Sequence, residues 1–175
     1  CWWRCLHRLP LRSHASVASA ATLVDYSWKC CGAMNPNSLL KASGHSYTVE
    51  VRFYGDDLDP DEISRRLGLT PSSSLTRLAA TAAHRTRRPF WAYNGCGEEG
   101  FFAEWESLED GLAFVAQRLA PVQSTVVALS QSFEGMWWCG HFQSSFDGGP
   151  RLSPKILSQI AAFGLPLMID NYFAA

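Results

Sequence analysis

The chain has 175 residues, 47% apolar and 18% charged, with a formal net charge of -1. That balance excludes a wholly disordered, collagen-like or membrane-bundle chain, and the small charge points to neither nucleic acid nor an acidic membrane. No uninterrupted apolar run approaches the roughly 20 residues of a membrane helix.

Residues 1–33 differ in composition from the rest. Arg4, Arg8, Arg12 and Lys29 face the single acid Asp25. Four cysteines (Cys1, Cys5, Cys30, Cys31) also lie there, with His7 and His14. Their spacing is too loose for a zinc site. No periodicity persists in this segment, so residues 1–33 read as an irregular tail, upstream read-through or a presequence. Met34 then opens a single α+β domain over residues 34–175. Only Cys96 and Cys139 remain in it, which is no disulfide framework and suits a reducing, cytoplasmic setting.

Tyr47, Val49, Val51 and Phe53 alternate with polar residues, which predicts a half-buried strand over His45–Tyr54. A helix follows. Asp59 suits its N-cap, Pro60 its first position, Glu62 its first turn and Gly68 its left-handed stop. Residues 72–89 read equally as a short helix or a loop. Phe90–Tyr93 is a short aromatic strand. Ser107 and Asp110 form a capping pair ahead of an apolar stripe, Leu108, Leu112, Val115 and Leu119, and Pro121 is expected to stop that helix. Ser124–Ser130 is rich in β-formers and reads as a strand. It is joined by a turn at Phe133-Glu134-Gly135 to a strand over Met136–Ser144. Ser153-Pro154 starts a last helix, Gly164 ends it, and Leu167–Tyr172 is a final strand. The order is β-α-β-α-β-β-α-β, whose last six elements are ferredoxin-like. The expected fold class is α+β, an antiparallel or mixed sheet with helices on one face.

Three blocks carry a family resemblance: the strand and turn Tyr47–Pro60, the helix and turn Asp61–Pro71, and the terminal Leu167–Tyr172. Together they resemble the bacterial family called domain of unknown function 4279, over about residues 47–172. Asp59, Pro60, Gly68, Pro71, Asp170 and Tyr172 match its pattern, and the first four read as caps and turns. The resemblance implies a small α+β domain and brings no catalytic residues. Likeness to immunity and other accessory proteins is an analogy of fold.

Two sets of residues bear on chemistry. Cys139 and His141 share a strand face, which allows a Cys–His pair or part of a metal site. No further ligand spacing supports either. Arg85, Arg87 and Arg88 stand beside Trp91 and Tyr93, residue types that anchor protein partners or, alternatively, grip nucleic acid. The acids from Asp56 to Glu62 lack the glycine and glutamate of a calcium loop, and they serve a helix N-terminus. No phosphate-cradling or dinucleotide motif is present. The expectation is a non-enzymatic binding module for a protein partner, without cofactor or metal. Its candidate contact residues are Arg85, Arg87, Arg88, Trp91 and Tyr93. The alternatives are an enzyme using Cys139 and His141, or a nucleic-acid binder through Arg85–Tyr93.

Overall fold

A computed structural model describes residues 44–77 and 88–173. In chain order it contains β1 (His45–Tyr54), α1 (Pro60–Leu67), β2 (Ser73–Leu75), β3 (Phe90–Tyr93), α2 (Leu108–Leu119), a 3-10 turn (Ala120–Val122), α3 (Gln123–Ser130), β4 (Glu134–Gln143), α4 (Pro154–Ala161) and β5 (Leu167–Phe173). One five-stranded sheet has the order β2-β3-β1-β4-β5. β1 lies antiparallel to both β3 and β4, while β4 and β5 run parallel. The fold is therefore α+β around a mixed sheet.

The caps form as their residues dictate. Asp59 is extended, and its carboxylate accepts the Asp61 N–H at 3.1 Å. Gly68 closes α1 at φ 66°, a conformation that costs glycine no Cβ clash. Ser107 and Ser153 cap α2 and α4 by accepting from Asp110 N–H and Ile156 N–H.

One expected element is of the other kind. Ser124–Ser130 lies within helix α3, so the β-α-β-β-α-β order after Phe90 does not occur. Pro121 sits at the start of the 3-10 turn, where a missing N–H costs nothing, and the chain stays helical from Leu108 to Ser130. Val126 and Leu129, three apart, are both buried. That helical spacing overrides the β preference of Thr125, Val126 and Val127. The run is long and apolar enough to cross a membrane by length and composition. Its most apolar side chains, Leu112, Val115, Leu119, Val126 and Leu129, belong to the core.

The core lies on the helix side of the sheet. Tyr47, Val49, Val51 and Phe53 of β1 meet Trp91 and Tyr93 of β3, Trp137 and Cys139 of β4, and the inner residues of the helices. α2 sits close enough to β1 that a Cβ on Gly111 would stand 2.8 Å from Val49 Cγ2. Outside the regular ladders, Tyr47 and Trp105 exchange a pair of backbone hydrogen bonds at 2.8 Å, which ties the segment before α2 to β1.

Candidate functional site

The arginine–aromatic run is divided between surface and core. Arg85 and Arg87 lie outside the described residues. Arg88 is exposed and bonds Asp56 at 3.2 Å and Glu134 at 2.6 Å. Trp91 and Tyr93 are buried, because alternate residues of β3 share the face that packs against the helices. The Trp91 indole N–H donates to Ser64 Oγ at 3.0 Å, which seats α1 on β3. The Tyr93 hydroxyl donates to the Glu98 carboxylate; burial first, and then that carboxylate, push the phenol pKa up. The two aromatics are packing residues, so they do not form a contact surface with Arg88.

Cys139 and His141 share a face of β4 as expected, but they do not form a pair. Burial, with Glu50 adding to it, pushes the Cys139 thiol up to about 12. Both ring nitrogens of His141 point elsewhere. Nε2 lies 3.0 Å from His45 Nδ1, and Nδ1 lies 2.9 Å from Asn171 Oδ1. The second His45 nitrogen donates to the Asp147 carbonyl at 2.8 Å, since a carbonyl can only accept. Tyr47 stacks on His141 with centroids 4.7 Å apart. This relay joins β1, β4, β5 and the loop after β4. The cysteine–histidine set of residues 1–33 lies outside the described residues.

The face turned away from the helices carries a hydrogen-bonded belt. Glu50, Arg52 and Tyr54 follow one another along β1. The Arg52 guanidinium sits 3.6 Å above the Trp138 ring, donates from Nε to Glu50 at 2.6 Å and reaches the Tyr54 hydroxyl at 3.2 Å. Burial raises the Glu50 pKa, with Arg52 pulling the other way. Trp138 then donates its indole N–H to Asp170 Oδ2 at 2.8 Å. Tyr172 completes the belt. Its pKa is raised by burial, then by Asp170, and its ring stacks on Phe142 at 5.0 Å. Asp170 and Tyr172, which the sequence marks without a role, thus belong to one arrangement.

Beside this belt is a surface that reading the sequence missed. Among the described residues β5 ends the sheet, and it carries Met168 (43% exposed), Tyr172 (42%) and Phe173 (51%). Phe146, in the loop after β4, is 84% exposed and contacts Phe173 with ring centroids 4.5 Å apart. The available signal was that apolar residues occupy both alternating faces near the end of β5, where a strand with one solvated face would alternate. A shallow depression of about 320 Å³ lies elsewhere, at the start of α1, lined by Asp57, Leu58, Asp59, Pro60, Thr76 and Arg77. Asp57 and Arg77 are ion-paired across it at 2.9 Å.

No curated protein and no solved structure matches the chain. A family model does match, over residues 45–174, nearly the whole described region. The chain therefore belongs to the family described as domain of unknown function 4279.

Proposed function

We propose that this chain is a non-enzymatic binding module for a protein partner, and that the partner docks on the β5 edge together with Phe146. The observation that carries the reading is the exposed aromatic and apolar group Met168, Tyr172, Phe173 and Phe146 beside a strand edge. Aromatic residues dominate contact energetics between proteins, and an edge strand offers unpaired backbone groups to an incoming strand. The protonated, buried Cys139 and the fully engaged His141 ring favour binding over nucleophilic chemistry. An accessory or immunity-type role suits such a module.

The test is a capture experiment with paired baits, the wild-type chain and a Phe146→Ser/Phe173→Ser variant matched for thermal stability. A protein retained by the first and lost by the second supports the reading. Retention by both baits, with loss on Arg88→Glu, would move the contact surface to the Asp56–Arg88–Glu134 side.

A further inference from the structure

The relay through His45 and His141 begins and ends on an oxygen. It runs from the Asp147 carbonyl to His45 Nε2 (2.8 Å), from His45 Nδ1 to His141 Nε2 (3.0 Å), and from His141 Nδ1 to Asn171 Oδ1 (2.9 Å). Each of the three gaps takes one proton, so the relay as it stands uses three N–H groups. Two neutral imidazoles carry two. The arrangement is therefore complete with one added proton, an imidazolium and an imidazole joined by a shared N–H···N contact. The neutral pair also fits, once the Asn171 amide turns and offers its own N–H to His141 Nδ1. A second added proton does not fit. It sets the His45 Nδ1–H against the His141 Nε2–H across the same 3.0 Å, with a positive charge on each ring.

One ring must then leave. His141 is 2% exposed, with Tyr47 stacked on it and Asn171 at its Nδ1. His45 is the more exposed of the two, at the first residue of β1. It is also the ring that holds the loop after β4, through the Asp147 carbonyl. Gly148 passes over the same nitrogen: a Cβ there would stand 3.5 Å from His45 Nε2. The Ser144 N–H donates to the Gly44 carbonyl at 3.0 Å, beside the relay. Two other titratable groups share its surroundings, Tyr47 and Cys139, and burial raises the pKa of both, so they stay neutral wherever histidine titrates. The charged groups on the surrounding elements are Asp147 in the loop, Arg151 beyond it, and Glu104 and Glu106 in the segment that pairs with Tyr47. Glu109 of α2 is turned to Ser153, and Asp170 of β5 to Trp138.

We propose that His45 and His141 form an acid-operated latch, which holds residues 144–149 against the start of β1 while the pair carries at most one added proton and frees them when it takes a second. The open form binds more protons than the closed form, so the closed form gains as pH rises and is lost as pH falls. Histidine is the side chain whose charge ordinarily changes between about pH 5 and 8. Phe146 lies in this loop and packs on Phe173, so opening also takes apart the exposed aromatic group. That last consequence alone rests on the docking surface proposed above.

Hydrogen exchange of the full chain tests the latch, read as the protection factor of the Ser144 amide, which divides out the intrinsic effect of pH. Between about pH 8 and 5, protection should fall about tenfold or more, as expected for losing a hydrogen bond to a charged ring. His45→Gln keeps one acceptor for His141 and one donor for Asp147 but takes up no proton, so its protection should stay level over the same range. Constant protection in the wild type would overturn the proposal, as would an equal fall in wild type and His45→Gln. Should the glutamine fail to seat, the imidazole ¹⁵N resonances of the wild type decide: protons on all four ring nitrogens while Ser144 stays protected would overturn it. Capture of a partner at neutral pH tests the docking surface separately. A latch that opens in acid while a captured protein stays bound would stand, and the docking surface would move off Phe146.

Discussion

Asp59 and Ile63 occupy adjacent turns of one short helix and contribute in different ways. The Asp59 carboxylate satisfies an N–H that helix geometry leaves orphaned. Asp59→Ala should therefore cost about 0.5–2 kcal/mol. Ile63 is 1% exposed. Ile63→Ala removes buried methylenes, leaves a cavity and should cost about 2–5 kcal/mol. Urea unfolding of both variants checks the order, and equal losses would contradict it. Gly111 predicts an effect in the opposite, overpacking sense. A methyl at that position meets Val49 at 2.8 Å and the Trp105 ring at 3.0 Å. Gly111→Ala should cost about 1–3 kcal/mol, despite alanine's better helix propensity. Cys139 makes a chemical prediction. With its pKa pushed up to about 12, almost no thiolate exists at mildly alkaline pH. Iodoacetamide should leave Cys139 unmodified in the native chain and label it in urea, as read by peptide mapping. Labelling of the native chain would reopen a nucleophilic role.

Specific polar contacts join the elements to one another. Glu109, in the first turn of α2, accepts from the N–H and hydroxyl of Ser153 at 2.8 and 2.7 Å, and Ser153 is the N-cap of α4. One carboxylate thereby sets the start of α4 against α2. Those bonds hold the Glu109 pKa below its ordinary 4.5. A depressed carboxyl pKa stabilises the fold above the ordinary value, and the contribution disappears as pH falls through the folded value. Glu109→Gln should lower the neutral-pH urea midpoint and flatten its fall below about pH 4.5. An unchanged acid limb would show that the tie contributes nothing. Such ties were not legible in the sequence, whereas the caps were. Asp59, Gly68, Ser107 and Ser153 act on N–H or C=O groups within four residues, so spacing alone reveals them. Glu109 and Ser153 are 44 residues apart. α3 shows the limit from the other side: Thr125, Val126 and Val127 state a local preference that the packing of Val126 and Leu129 reverses. β2, three residues long, is too short to leave a period.

For the molecule as a whole, the α+β class and most strand positions followed from alternation in His45–Tyr54 and from the aromatic and β-rich runs. Strand order did not, because it depends on which runs meet. Trp91 and Tyr93 illustrate the consequence for the site. In sequence they adjoin Arg88, yet the sheet turns them inward, and the exposed aromatics among the described residues are instead Phe102, Phe146, Tyr172 and Phe173. Arg52 and Trp138 likewise stack only because β1 and β4 are neighbours.

That same neighbour relation has a temporal side. β1 is the first described strand of the sheet and sits at its centre, yet β4, the partner of its longest ladder, comes much later: His45 and His141, whose side chains meet across that ladder, are 96 residues apart. On a ribosome adding about 5–20 residues per second, that interval lasts roughly 5–20 s. Through it β1, carrying Tyr47, Val49, Val51 and Phe53, has, among the described elements, α1, β2, β3 and then α2 and α3 to cover it. Contacts so distant along the chain also slow refolding, toward milliseconds to seconds. A nascent chain halted before Glu134 would hold a sheet with an open central edge, and the exposed ladder of β1 would be the segment that a chaperone or an aggregating neighbour reaches first.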